Sequence, residues 1–147
     1  MKRFLLDTYL YVQAVRDENW AEGLSRFVSS NLPSIYFHAV VAQELLAGAV
    51  DARRMKDVEE KLIRPFEKRG RVVTPGFGSW KRAGRMMSRL VQEGRMSRGG
   101  FSRSFVNDCL LAASCREDGF VLITMNLRDF ELVQEVAHFE ASAPWPG

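Results

Sequence analysis

Short apolar segments alternate with longer segments of helical character, and this alternation restricts the fold more than any other feature of the chain. Such an order predicts an α/β fold with a mostly parallel sheet. Continuous apolar runs such as FLL and FVLI are typical of parallel strands, because both of their faces are buried. The predicted strands are RFLL at 3–6, SIYFH at 34–38, RVVTPG at 71–76, FVLIT at 120–124 and HFEAS at 138–142.

The predicted helices occupy most of the chain between these strands. Their composition and apolar spacing favour helix over strand. We expect Ser79 to cap one of them and Gly119 to end the last. The predicted helical segments are 8–30 with a break near 16–19, 39–54, 55–68, 79–94 and 101–118, with a hinge at 98–100.

The composition indicates one soluble domain spanning 1–147. Hydrophobic residues make up 46% of the chain and charged residues 27%, values that exclude a disordered protein. No apolar run approaches the ~20 residues of a membrane span, so we expect no membrane association. The first apolar run ends at Asp7 and is too short for a secretory signal. Cys109 and Cys115 lie in one predicted helix, where they cannot form a disulfide, and we expect a reducing cytoplasmic location.

The net charge of +3 conceals an uneven distribution of charge. Between Arg53 and Arg103 there are 15 basic and 5 acidic residues, whereas the remainder has 6 basic and 13 acidic residues. This middle segment is a candidate surface for a polyanion. Solvated helix faces would explain the same excess, and counting charges does not separate the two interpretations.

Three carboxylates occupy positions where apolar residues are expected. Asp7 directly follows the first predicted strand, while Glu44 and Asp108 have mostly apolar or small neighbours at helical spacing. Each acid alone could be explained by its position near a helix N-terminus. Together and without a nearby cation, they would repel one another, and a bound Mg²⁺ or Mn²⁺ would relieve that repulsion. His38 and His138 are isolated, which argues against zinc.

The segment FVLITMNLRDF adds further polar groups after the fourth predicted strand. Thr124 ends that strand, and Asn126 and Asp129 follow in a predicted loop. Both could be ordinary turn residues. However, the carboxyl ends of parallel strands lie at one edge of the sheet, where ligands bind. We therefore expect these side chains to lie near Asp7.

Four short motifs together resemble the PIN-domain ribonucleases, and among them the VapC toxins of bacterial toxin–antitoxin pairs. They are FLLDT at 4–8, VVAQELLAG at 40–48, NDCLLAAS at 107–114 and LITMNLRDF at 122–130. The resemblance covers nearly the whole chain and implies a three-layer α/β/α sandwich with about five strands. It also implies metal-dependent hydrolysis of RNA, with Mg²⁺ or Mn²⁺ as the cofactor.

The resemblance assigns a role to each candidate site residue. Asp7 and Asp108 would hold the metal directly, and Glu44 would hold it or orient the attacking water. Either Asn126 or Asp129 would complete the acidic site; the resemblance gives Asp129 a supporting catalytic role and Asn126 an orienting one. Thr8 and Thr124 match positions near the metal.

The resemblance also implies partners. These are an RNA substrate, a VapB-type antitoxin that holds the toxin inactive, and a second copy in a homodimer. The basic segment would then contact the RNA backbone, with Arg82, Arg85, Arg89 and Arg98 as candidate contacts.

Other classes of protein also begin with a strand that ends in an acid, or share the predicted fold. A haloacid-dehalogenase-type phosphatase needs a second Asp two residues after the first, and that position is Tyr9 here. A receiver-like module needs a Lys after a late strand, which LITMNLRDF does not supply. A catalytically silent PIN fold that only binds RNA or protein remains an alternative.

Overall fold

The chain forms an α/β fold around one five-stranded sheet; the structure is a computed structural model and describes residues 1–145. The strand order is β3-β2-β1-β4-β5, and every neighbouring pair is parallel. The predicted parallel sheet of about five strands is thereby confirmed. The strands are β1 (Arg3–Leu6), β2 (Ile35–His38), β3 (Val72–Val73), β4 (Phe120–Ile123) and β5 (Glu140–Ser142).

Helices cover both faces of the sheet. Leu5 and Leu122 face a cluster that includes residues of the helices at 77–92, 103–118 and 127–134, whereas Leu6 and Ile123 face a cluster that includes residues of the helices at 8–16, 18–30 and 39–47. Successive strand residues point to opposite faces, so burial on both sides requires the unbroken apolar runs of β1 and β4. The helices are α1 (Thr8–Arg16), α2 (Glu18–Ser30), α3 (Ala39–Ala47), α4 (Ala52–Asp57), α5 (Arg64–Lys68), α6 (Phe77–Gln92), α7 (Arg103–Asp118) and α8 (Leu127–Gln134), with a π-helical segment at Val58–Ile63 between α4 and α5 and a short 3-10 turn at Leu32–Ser34.

Two of the predicted helix boundaries are wrong. The segment predicted as one helix from 39 to 54 is broken, because α3 ends at Ala47 and Asp51 caps a new helix by accepting a hydrogen bond from the Arg54 N–H at 2.8 Å. Ser79 is not a cap. Helix α6 begins earlier, at Phe77, and Ser79 is a buried residue of its first turn.

Helix α8 contradicts the loop that the sequence predicts after the fourth strand. Its buried residues Phe130 and Val133 are three apart, a helical spacing that the short segment does contain.

Two further findings concern the cysteines and the lengths of the helices. Cys109 and Cys115 are both free and buried, as predicted. Within residues 1–145, no helix is both long and apolar enough to cross a lipid bilayer.

The sheet edge is defined by the ends of β1 and β4. The Asp7 N–H donates to the Ile123 carbonyl at 3.0 Å, and the Thr124 N–H donates to the Ser142 carbonyl at 3.0 Å. These bonds extend the sheet pairing one residue beyond the strands. They place Asp7 and Thr124 side by side at the carboxyl edge, as the topology of a parallel sheet requires.

Candidate active site

Asp7 is held at the junction between β1 and α1. It is the N-cap of α1, and its Oδ1 accepts a hydrogen bond from the Thr8 N–H at 2.8 Å. Its Oδ2 accepts a hydrogen bond from the Thr124 hydroxyl at 2.9 Å. The Asn126 N–H donates in turn to the Thr124 oxygen at 3.0 Å. Asp7 therefore has a fixed orientation and is only 9% exposed.

Glu44 reaches the same region from α3. Its Oε1 accepts a hydrogen bond from the Thr8 hydroxyl at 2.6 Å, which ties the start of α1 to the middle of α3. Thr8 thus contacts two acids, Asp7 through its backbone N–H and Glu44 through its side chain. Thr8 lines the same cavity as these two acids, and its predicted place near a metal stays a prediction.

Asp108 lies on α7, which begins when the Ser102 side chain accepts a hydrogen bond from the Phe105 N–H at 3.0 Å. Asp108 sits one turn from that N-terminus and is partly buried. Within residues 1–145 its carboxylate accepts no hydrogen bond from another side chain or a backbone N–H. Asp108 is therefore a partly desolvated carboxylate that its surroundings do not neutralise.

Asp129 lies in the first turn of α8 rather than in a loop, and Asn126 precedes that helix. Both side chains are exposed. The Asn126 side chain makes no capping hydrogen bond, and its carbonyl accepts from the Asp129 N–H at 3.0 Å.

One cavity of about 210 Å³ brings the predicted acids together. Thr124 does not line this cavity, because it lies fully buried beneath Asp7. The lining contains no Lys, Arg or His. The lining residues are Asp7, Thr8, Tyr9, Val12, Glu44, Ser104, Asp108, Asn126, Asp129 and Phe130.

Sequence reasoning had not assigned Tyr9, Val12, Ser104 and Phe130 to the site. Ser104 lies one helical turn before Asp108, so the i, i+4 spacing could have identified it.

The electrostatics of the cavity favour a bound cation. Burial raises the pKa of Asp108 to about 7, and the charges of Asp7, Glu44 and Asp129 add to the increase. Burial also raises the pKa of Asp7, although the hydrogen bonds from Thr124 and Thr8 oppose that change. Acids that repel one another in a partly desolvated cavity are stabilised when a positive charge is added.

The donor types in the cavity match a hard divalent cation. Carboxylate, hydroxyl and amide oxygens are the ligands that Mg²⁺ and Mn²⁺ prefer, and the cavity contains all three. In the conformation described for residues 1–145, no three His, Cys, Asp or Glu side chains converge closely enough to hold a metal ion. The acids share a cavity, and side-chain rotation would be needed for them to share a ligand.

The four candidate RNA-contacting arginines lie outside the cavity lining. Arg82 donates to Glu117 at 2.6 Å and Arg89 donates to Glu93 at 3.1 Å, whereas Arg85 and Arg98 are exposed. Glu117 is nine residues from Asp108 along α7, a separation of about 14 Å along the helix axis. Arg82 is therefore remote from the acids.

Comparison with known proteins points to one family. A family model described as PIN domain matches residues 4–136. No curated protein matches the sequence significantly.

Several solved structures share this fold. DNA-bound VapBC from Salmonella typhimurium matches with a TM-score of 0.73 and 19% identity, over 97% of this chain and 98% of that chain. VapBC2 from Rickettsia felis, bound to a promoter DNA fragment, matches with a TM-score of 0.67 and 19% identity, over 97% and 98% of the two chains. VapBC-1 from nontypeable Haemophilus influenzae has a TM-score of 0.62 and 22% identity, over 95% and 96%.

Proposed function

Because the chain belongs to the PIN domain family, we propose that it is a VapC-type toxin, a metal-dependent ribonuclease that hydrolyses RNA phosphodiester bonds at the acidic cavity. The observation that most supports this function is the cavity itself. It has four carboxylates, from Asp7, Glu44, Asp108 and Asp129, and no basic side chain in its lining. Without a cation, such a site would repel the phosphates of its substrate.

Each side chain has a distinct task in this proposal. A bound Mg²⁺ or Mn²⁺ would contact the scissile phosphate and lower the pKa of the attacking water. Asp7 and Asp108 would hold that ion, and Thr124 keeps Asp7 correctly oriented through its hydroxyl. Glu44, held by Thr8, would hold the ion or accept a hydrogen bond from the attacking water.

A VapB-type antitoxin is the proposed partner. The structural relatives described above are VapBC complexes, and the matched chains in them share this fold. An antitoxin that inserted a basic side chain into the cavity would neutralise the carboxylates and exclude the metal. The proposal includes a homodimer of the toxin.

An RNA cleavage assay tests the catalytic proposal. The purified chain should cut single-stranded RNA with Mg²⁺ or Mn²⁺ and stop when EDTA is added. Asp7→Asn and Asp108→Asn should each abolish cleavage while the protein stays folded. Asp118→Asn is the matched control, because it makes the same chemical change at an exposed position of α7 and should cleave normally.

The results would also separate the alternatives. Native cleavage by either active-site variant would show that the acids are wrongly assigned. RNA binding without any cleavage by the wild type would favour the catalytically silent PIN module. Induced expression without an antitoxin should slow growth, and normal growth with abundant folded protein would argue against the toxin assignment.

A further inference from the structure

Helix α6 has an unusually exposed aromatic and basic face. Phe77 is 77% exposed and Trp80 is 57% exposed, although large aromatic side chains are normally buried or half-buried. Phe77 lies on the helix face opposite the buried residues Ala83, Met86 and Leu90, and Trp80 lies at the edge of that exposed face. We call the exposed face the α6 stripe; it consists of Phe77, Trp80, Lys81, Gly84, Arg85 and Ser88.

The charge of α6 is entirely positive. The helix contains four basic residues and no acidic one. Arg82 and Arg89 are paired with Glu117 and Glu93. Lys81 and Arg85 form no ion pair with an acid within residues 1–145, and the Lys81 ammonium lies 5.3 Å from the centre of the Phe77 ring. A positive charge without an acidic partner therefore lies beside the exposed Phe77 ring, on the same helix as the exposed Trp80.

This combination matches single-stranded nucleic acid better than a second copy of the chain. Unpaired bases stack on exposed aromatic rings, while neighbouring cations contact the phosphates. Gly84 lies on the same face, and no atom is within 4 Å of where its Cβ would be, so the middle of the stripe is open to a ligand. A symmetric dimer through this face would instead place the cations of one copy against those of the other.

We propose that the α6 stripe binds single-stranded RNA outside the active site, by stacking bases on Phe77 and Trp80 and contacting phosphates with Lys81 and Arg85. The inference rests on the proposed ribonuclease function for the identity of its ligand. Because the neighbouring Arg82 contacts Glu117, remote from Asp108, the stripe is a second contact region and not a part of the cavity. It would add affinity for the substrate strand at a distance from the cleavage site.

Binding of a labelled single-stranded RNA of mixed sequence, measured by fluorescence anisotropy in EDTA, tests this proposal without cleavage. Phe77→Ala and Trp80→Ala should each raise the Kd about tenfold. Trp80→Phe should retain most of the affinity, because the replacement ring still stacks. Both positions are exposed, and circular dichroism will verify that each of the three variants is folded.

The charge contribution is tested by the dependence of Kd on salt. Lys81→Gln with Arg85→Gln should reduce the slope of log Kd against log salt by about 1.4, since each phosphate contact to a single strand contributes about 0.7. The matched control is Lys56→Gln with Arg64→Gln, which removes the same charge at two exposed positions outside the stripe. An equal change in both pairs would mean that net charge alone matters and would overturn the proposal.

Other outcomes distinguish this proposal from the ribonuclease assignment. If the aromatic variants bind RNA like the wild type while the wild type cleaves RNA, the stripe is wrongly assigned and the ribonuclease function stands. If they lose RNA binding although the wild type cleaves nothing, the stripe stands and the catalytic proposal fails. If they turn a dimer into a monomer in sedimentation experiments with unchanged RNA affinity, the stripe is an interface between copies.

Discussion

Replacing Asp108 with Asn should stabilise the metal-free protein at neutral and alkaline pH. In the folded chain the pKa of Asp108 is raised from 3.8 to about 7, mainly by burial and further by Asp7, Glu44 and Asp129. The full difference of about three pKa units corresponds to about 4 kcal/mol, at 1.36 kcal/mol per unit. Because Asp108 is only partly buried, solvent screening reduces this value, and we expect about 2 kcal/mol.

Proton linkage gives the direction in which the free energy of unfolding changes with pH. A carboxyl whose pKa is higher in the folded state stabilises the fold at pH values below its unfolded pKa. That contribution disappears as the pH rises through the folded value of about 7. Wild type and Asp108→Asn should therefore diverge between about pH 4 and pH 7, with the variant the more stable above that range.

Urea unfolding monitored by tryptophan fluorescence in EDTA, at about pH 5 and about pH 8, measures this difference. Comparing variant with wild type at each pH cancels the contribution of other titrating groups. Asp118→Asn should follow the pH dependence of the wild type and serves as the control. If Asp108→Asn were no more stable than wild type at the higher pH, burial and the neighbouring acids would not destabilise the Asp108 carboxylate as argued, and the electrostatic case for a cation in the cavity would fail.

Three further predictions concern the site and the scaffold. Mn²⁺ at a hundredfold excess over its Kd should stabilise the wild type by about 2.7 kcal/mol in thermal melts, and Asp7→Asn should abolish this stabilisation. An equal stabilisation of the variant would mean that the ion binds outside the acidic cavity. Gly84→Ala should stabilise α6 by about 0.5–1 kcal/mol in urea unfolding, because the added methyl group meets open space and alanine favours helix; a loss of stability would indicate an unrecognised contact. Burial lowers the pKa of His38 from 6.5 to about 4, so its contribution to stability, up to about 3 kcal/mol, is present above pH 6.5 and is lost as the pH falls through 4. His38→Gln should therefore reduce the loss of stability between pH 6.5 and pH 4, measured by urea unfolding at a series of pH values. An unchanged loss of stability would exclude His38 as its source.

His38 also illustrates how a residue that looked isolated in the sequence acquires a structural role. Its Nδ1 accepts a hydrogen bond from the Val40 N–H at 3.0 Å and caps α3. Its Nε2 lies 2.9 Å from the Ser114 hydroxyl, and that hydroxyl donates to the Leu110 carbonyl at 3.0 Å. Because Nδ1 is an acceptor, the proton lies on Nε2, and His38 donates to Ser114. The pair links the helix of Glu44 to the helix of Asp108.

Local patterns in the sequence were sufficient to predict the sheet and the acids. Residues 4–6 of β1 and all four residues of β4 are apolar because both sheet faces are covered, and such runs are visible without a structure. Asp7, Glu44 and Asp108 stood out because each is an acid among apolar neighbours. These three acids line one cavity, because the helices that carry Glu44 and Asp108 bring them to the carboxyl edge of the sheet where β1 ends.

Only the tertiary structure decided features that depend on contacts between distant segments. The Thr8–Glu44 and Thr124–Asp7 hydrogen bonds join residues 36 and 117 positions apart, and no local pattern encodes such pairings. The break after Ala47 and the helix after Asn126 were missed because short helices depend on tertiary packing more than on local propensity. The sequence thus determined which chemical groups the site contains, and packing between α1, α3, α7 and the sheet determined how closely they approach, because side-chain separation is a property of the whole fold.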